Sequence, residues 1–194
     1  LDYKIMQGNS LLESFEGLDM SRIAGRTVGR PSNSPQLIIG LDSDLNRKNL
    51  QKLMRQYFST DDHTAKAELR QTINNEVKSL IRNSLGGTTA SLNHLEQLDC
   101  SANSDFFLWH TWFKDVFDNG GFDVVIGNPP YNELRDLDEA SQEALKNTQY
   151  YEYAKGGRLN MFQFFYPLAL GITKEKGILS LITQNSLLAE NSTL

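Results

Sequence analysis

Cysteine is nearly absent. Cys100 stands alone in 194 residues, which excludes a disulfide frame and a cysteine-ligated zinc site and fits a reducing compartment. Long hydrophobic runs are missing as well. No stretch approaches the ~18 apolar residues of a membrane span, and no charged-then-apolar leader opens the chain, so a cytoplasmic location is expected. Positive charge is in deficit: 19 Lys and Arg face 24 Asp and Glu, a net charge of −5. A protein that binds nucleic acid over its whole surface is basic. Any DNA contact here is therefore expected to be local, or supplied by a missing part of the polypeptide. What remains is ordinary globular composition, with 39% hydrophobic, 22% charged and 10% aromatic residues, and it excludes a disordered tail or a collagen. A chain of this length buries roughly 70% of its unfolded surface, enough for one good core. It begins with Leu1 rather than Met, which reads as a piece of something longer.

Tyr3 to Ser10 reads as a short strand ending in a Gly8-Asn9-Ser10 turn. Residues 20–36 form an irregular Gly- and Pro-containing connection, and Leu37-Ile38-Ile39 a brief strand. From Leu45 to Leu85 the period becomes helical. Leu50, Leu53, Met54, Tyr57 and Phe58 form one stripe, and Leu69, Ile73, Val77, Leu80 and Ile81 a second. Ser59-Thr60-Asp61-Asp62 supplies an N-cap between them, and Gly86-Gly87 a stop. The pair predicts an antiparallel helical hairpin. Its other face carries Lys52, Arg55, Lys66, Arg70 and Lys78 among acids; it reads as a solvated face, with a DNA-backbone contact as the sharper alternative. Residues 88–104 read as loop. Phe106, Trp109, Phe113, Val116 and Phe117 make an aromatic helical stripe expected to be core rather than a base-stacking platform.

Gly120-Gly121 breaks that helix, and Phe122-Asp123-Val124-Val125-Ile126 follows as a strand of the buried parallel type. A helical segment is expected around Glu139–Lys146. An apolar helix spans 160–174 and is expected to kink at Pro167. Gly177 ends it, and residues 178–183 form a second buried-type strand. Strand, helix and strand in that order predict parallel neighbours with a right-handed crossover.

Ligand crevices in open α/β sheets lie beyond the carboxyl ends of strands, and there the first strand runs into Gly127-Asn128-Pro129-Pro130-Tyr131. Consecutive prolines lack N–H donors and fix φ, so the loop is stiff and rich in acceptors. Asn128 offers a side-chain carbonyl, Pro129 a backbone carbonyl and Tyr131 a flat face. These parts suit an exocyclic amine on an aromatic ring. Two acceptors on its two hydrogens free the nitrogen lone pair and stabilise the positive charge that develops as a methyl group arrives. A ring stacked on the base fixes its plane for in-line attack. In duplex DNA, such a base must first rotate out of the stack. The plainer alternative is a rigid turn after a strand.

Phe122 to Tyr131 resembles the catalytic motif (the NPPY motif) of amino-group DNA methyltransferases acting on adenine N6, and more specifically the methylase region of fused type II restriction–modification enzymes. Three further segments resemble that family in its order. Tyr3 to Leu12 resembles the strand and turn that contacts the adenine of S-adenosylmethionine. Gly157 to Tyr166, with Asn160, resembles the helix lining the cofactor and target-base pocket. Gly177 to Leu188, with Thr183-Gln184-Asn185-Ser186, resembles the next strand and its loop. The resemblance covers about half the chain and implies an α/β fold: an incomplete Rossmann-like methyltransferase sheet with a helical-hairpin insertion. It implies residues 1–40 as the first part of the core with its irregular connection, 41–104 as the insertion and 105–194 as the catalytic core. Asn128, Pro129, Pro130 and Tyr131 become the catalytic residues, and Asn9, Ser10 and Asn160 the contacts to S-adenosylmethionine. Two departures stand out. Asn9 occupies the place of the family's acidic residue, and neither Gly25–Gly29 nor Gly86-Gly87 makes the family's Gly-rich cofactor loop. That loop is expected upstream of Leu1 and the target-recognition region beyond Leu194, so double-stranded DNA is expected as partner of the whole enzyme and this chain alone to be inactive.

Other sites are weak. His63, His94 and His110 lack the spacing of a metal site and read as surface or core residues. Asp61-Asp62 and the Asp42, Asp44 pair read as caps and turns. Tyr150, Tyr151 and Tyr153 border a cleft or simply pack, and no nuclease-like carboxylate and lysine cluster is present. The expected activity is methyl transfer from S-adenosylmethionine to adenine N6 in DNA within a restriction–modification system. The rivals are a methyltransferase acting on an RNA base or a protein glutamine, and a non-catalytic DNA-binding or assembly module.

Overall fold

The structure, a computed structural model, describes residues 3, 5–16, 18–20, 41–84, 89–154 and 158–184. The chain divides into two units, Leu1–Trp112 and Phe113–Leu194.

The first unit is built on the predicted hairpin. Helix α1 (Leu41–Ser59) and helix α2 (His63–Ser84) pack against each other. Asp62 caps α2: its Oδ1 accepts from the Thr64 N–H at 2.9 Å, which satisfies one of the free donors of the first turn. Leu50, Tyr57, Ile73, Val77, Leu80 and Ile81 are buried as their spacing requires, whereas Phe58 is exposed. A third helix, α3 (Thr89–Gln97), occupies part of the stretch read as loop and buries Leu95. Its single apolar anchor is too short a signal for periodicity to register.

The N-terminal segment departs from its expectation. The described residues of Tyr3–Gln7 form no strand; Gln7 makes one parallel bridge to Ala102. A two-residue hairpin, β1 (Ser14–Phe15) with β2 (Leu18–Asp19), follows instead. The expected strand at Leu37–Ile39, the Gly86-Gly87 stop and the connection at 21–36 lie outside the described residues. The aromatic stripe is interrupted at Phe113, where the helix splits into α4 (Trp109–Trp112) and α5 (Lys114–Asp118), and Phe106 lies in the chain before α4 although it is fully buried.

The second unit carries the crossover. Strand β3 (Phe122–Gly127) pairs in parallel with β4 (Thr173–Leu181), with Val124 opposite Ile178 and Gly127 opposite Leu181. Between them come a short 3-10 turn at Leu134–Asp136, α6 (Glu139–Lys146), α7 (Tyr151–Ala154) and α8 (Met161–Ile172). Asp138 caps α6 through the Ser141 N–H, and Asn160 with Gln163 forms a capping box on α8. Pro167 lies inside α8, and the helix continues past it to Ile172.

β4 begins five residues before the expected 178, directly after α8. Phe122 faces Thr173 and Val124 faces Ile178, so residues 174–177 bulge from the ladder, with Lys176 at φ 65°. Gly177 is therefore inside the strand rather than before it. A Cβ there would lie 2.7 Å from Thr173 Cγ2 and 2.9 Å from the Lys174 carbonyl.

The strands were expected to be buried, and one face is not. Val124 and Ile126 are 49% and 77% exposed, and Ile178 and Ile182 on the same face are open as well. The opposite face, with Val125, Leu179 and Leu181, is half-buried, and α8 packs against both strands. The apolar run reports a strand suited to covering layers on both faces; within the described residues of this unit only one face has one.

Candidate functional site

The Asn128–Tyr131 loop leaves the carboxyl end of β3 beside the carboxyl end of β4, because the two strands are parallel. The ladder reaches its base: the Ile182 N–H donates to the Gly127 carbonyl at 3.0 Å. Gly127 itself sits where a Cβ would come 2.9 Å from Leu181 Cδ2. Within the loop, Pro129 is buried while Asn128, Pro130 and Tyr131 face outward. A buried proline anchors the turn without leaving an N–H to satisfy.

Tyr131 is fixed at both ends of its side chain. Its hydroxyl lies 2.8 Å from the Ile182 carbonyl oxygen and 3.2 Å from Asn128 Oδ1. One hydroxyl proton serves one acceptor well, and the shorter contact to Ile182 takes it. Asn128 Oδ1 thus keeps lone pairs for another donor. The Tyr131 ring centroid is 6.3 Å from that of buried Phe162, at an interplanar angle of 55°, and the residue stays 38% exposed. Among the described residues, no donor reaches the Pro129 carbonyl.

Asn160 belongs to the same neighbourhood through the backbone. Glu133 and Asn160 form an antiparallel bridge, with the Leu134 N–H on the Leu159 carbonyl at 2.8 Å and the Met161 N–H on the Asn132 carbonyl at 2.9 Å. The chain just after Tyr131 is therefore laced to the start of α8. The Glu133 carboxylate lies 2.6 Å from Arg135 and 3.8 Å from Arg158. At the far end of β3, Lys174 hydrogen-bonds Asp123 and holds its carboxyl below the ordinary range.

Asn9 and Ser10 lie in the first unit. Asn9 Oδ1 accepts from the Leu11 N–H at 3.2 Å, an Asx turn, and the Ser10 carbonyl accepts from Trp109 Nε1 at 2.9 Å. The residues expected to meet S-adenosylmethionine fit it only in part. The Asn9 carbonyl oxygen is used in its own turn. Asn160 is committed to its cap and, through Nδ2, to the Arg158 carbonyl at 3.4 Å. The Asn9 amide hydrogens and the Ser10 hydroxyl are the polar groups with no partner among the described residues. Thr183 and Gln184 follow β4; Asn185 and Ser186 lie outside the described residues.

The remaining side chains go to structure. His110 Nδ1 is 2.7 Å from Glu13, and His94 is 2.9 Å from Glu16 and 3.4 Å from Asp105. No cluster able to hold a metal ion occurs among the described residues. Tyr151 stacks on Phe164 at 6.5 Å, whereas Tyr153 is exposed. No described helix is long and apolar enough to cross a membrane. Sequence reasoning missed Phe162 and the Ile182 carbonyl as the supports of Tyr131. Phe162 had a usable signal, standing two residues after the capping Asn160; a backbone acceptor such as Ile182 has none.

Residues 35–194 match the model of the Eco57I restriction-modification methylase family. No curated protein and no solved structure matches the chain.

Proposed function

The chain belongs to the Eco57I restriction-modification methylase family, and we propose that its Asn128–Tyr131 loop is the amine-holding element of an adenine-N6 DNA methyltransferase. The observation that carries this reading is the paired acceptor set at the end of β3, formed by Asn128 Oδ1 and the Pro129 carbonyl beside a tethered aromatic ring. S-adenosylmethionine supplies the electrophilic methyl group when bound, with Asn9, Ser10 and Asn160 as its proposed contacts.

The chain's own residues do the rest. The Asn128 and Pro129 oxygens accept the two amine hydrogens and favour a pyramidal nitrogen with a free lone pair. Both oxygens also stabilise the charge that grows on nitrogen during transfer, because they are held before the reaction begins. Buried Pro129 and the double-proline backbone keep them from relaxing. Tyr131 stacks on the rotated base while its hydroxyl remains on Ile182. No strong general base is needed, since the methylated nitrogen is acidic and sheds its proton to water.

The test is methyl transfer from labelled S-adenosylmethionine by the full-length polypeptide, offered duplex DNA, RNA and a glutamine-containing protein in parallel. N6-methyladenine in DNA is the expected product. Label on cytosine, in RNA or on protein overturns the substrate assignment; no transfer to any of the three overturns the enzymatic one.

A further inference from the structure

The structure sorts the bases of the helical hairpin into two groups. Those of α2 are buried or paired within the fold. Lys78 is buried and donates to the Glu96 carbonyl at 2.5 Å, Arg70 lies 3.0 Å from Asp99, and Arg82 pairs with Glu96. Lys66 rests 5.6 Å above the Tyr57 ring. The face expected to carry Lys66, Arg70 and Lys78 into solvent beside Lys52 and Arg55 is thus not a single face. Three bases of α1 stay outside. Lys48, Lys52 and Arg55 recur at helical spacing and are exposed. With Gln51, Gln56 and Ser59 they line an open concavity of about 540 Å³. Lys48 and Lys52 have no partner among the described residues.

The charge distribution along the chain points the same way. Residues 21–59 hold seven of the 19 basic residues and two of the 24 acidic ones, a local +5 in a chain of −5. Within α1, every charged residue after Asp44 is basic, namely Arg47, Lys48, Lys52 and Arg55. The remaining residues therefore sum to −10. Along α1 four bases stand against Asp42 and Asp44 in a chain that is acidic as a whole, and such a local excess of base favours the approach of a polyanion.

We propose that the Lys48–Lys52–Arg55 stripe of α1 is a docking surface for the phosphate backbone of duplex DNA. This inference rests on the DNA-methylase reading for the choice of polyanion. At about 1.5 Å rise per residue the stripe runs roughly 10 Å, the scale of a groove width of about 12 Å. Its long side chains reach separate phosphates across a groove edge without reading bases, so the contact positions the duplex and leaves sequence choice to other elements. The exposed amide of Gln56 adds hydrogen-bond donors beside the cations.

The test is binding of a labelled duplex to the whole chain, followed by fluorescence anisotropy between about 50 and 200 mM salt. Lys48→Ala/Lys52→Ala removes two exposed charges and puts a strong helix former in each place, and circular dichroism confirms that the fold is kept. The log–log salt slope should become shallower by about 2. Lys48→Arg/Lys52→Arg should keep the parental slope. Lys146→Ala/Lys176→Ala, which alters net charge equally at two other exposed positions, should change it little. Equal loss in both alanine pairs, or none in the α1 pair, overturns the stripe while any methylation of DNA still supports the proposed function. Tighter binding of single-stranded DNA or RNA than of duplex overturns the choice of partner. A slope lost in the α1 pair, when the full-length polypeptide methylates no DNA, upholds the stripe and overturns the enzymatic reading.

Discussion

The hydroxyl of Tyr131 lies 2.8 Å from the carbonyl oxygen of Ile182, which ties the loop after β3 to the chain after β4. The two strands are parallel neighbours, so their carboxyl ends emerge side by side and a single side chain spans them. This contact sets the chemistry of Asn128, whose Oδ1 stands 3.2 Å from the same hydroxyl. With the proton engaged by Ile182, Asn128 remains an acceptor in waiting.

Replacing Asn128 with Ala should therefore remove a preorganised acceptor and little else. It is exposed and supports no core packing. Loss of one such group costs roughly 3–4 kcal/mol in the transition state, or 10²–10³ in rate. Cofactor affinity and thermal stability should stay near the parental values. Near-normal single-turnover methyl transfer by the variant would remove Asn128 from the mechanism.

Tyr131 separates two roles. Tyr131→Ala loses the stacking face and should weaken binding of an extruded base by roughly 1–3 kcal/mol. Tyr131→Phe keeps the face and loses only the tether to Ile182. For a partly exposed hydrogen bond that is about 0.5–1 kcal/mol of stability, with a mild effect on turnover. Base extrusion can be followed with 2-aminopurine at the target position. A Phe variant as damaged as the Ala variant would show that the hydroxyl, not the ring, carries the role.

The Asn128–Tyr131 loop and its flanking elements were legible because each rests on a local rule. An apolar run ending in Asn-Pro-Pro-Tyr predicts a strand and a stiff turn, and the parallel pairing of β3 with β4 follows from the crossover. The cap in the Ser59–Asp62 break, supplied by Asp62, was equally local. Three features were not legible. The start of β4 at Thr173 depends on a bulge that only Phe122 and Gly177 define together. The strand expected near Tyr3 needs a partner strand, and Gln7 has only a bridge to Ala102. The solvated basic face of the hairpin was drawn from helical period alone, which cannot foresee that Lys78 turns inward to the Glu96 carbonyl. In each case a contact distant in sequence overrides a sound local pattern.

Gly177 marks the bulge and should resist substitution. A methyl group there meets Thr173 Cγ2 at 2.7 Å and the backbone oxygens of Lys174 and Phe122 at 2.9 and 3.0 Å. Two of the three obstacles are backbone and cannot rotate away. Gly177→Ala should destabilise by about 1–3 kcal/mol through overpacking. The urea midpoint should fall with the m-value unchanged. Gly171→Ala is the control, since a Cβ at Gly171 meets nothing within 4 Å and replaces glycine inside a helix. Equal midpoints for the two variants would mean that the bulge yields freely.

The last prediction follows from Asp99, which organises the turn after α3. Its burial raises the carboxyl pKa, but hydrogen bonds from the Ser101 hydroxyl and N–H and the Arg70 guanidinium outweigh that and hold it below the ordinary value. The Ser101 contacts are 2.7 and 2.9 Å and the Arg70 contact 3.0 Å. A carboxyl depressed in the folded state stabilises the protein above its unfolded pKa, near 3.9, and loses that contribution as pH falls through the folded value. Asp99→Asn should therefore be less stable at neutral pH, by about 1 kcal/mol for a group so open to solvent. The difference should close as pH drops below about 4. The neighbouring Cys100 provides a local readout, because burial pushes its thiol up to about 12 and leaves it unreactive in the native state. Alkylation of Cys100 at neutral pH should be slow in the parent and faster in Asp99→Asn. If the stability gap between the two proteins were the same at pH 7 and pH 3, the charge of Asp99 would not be what holds the turn.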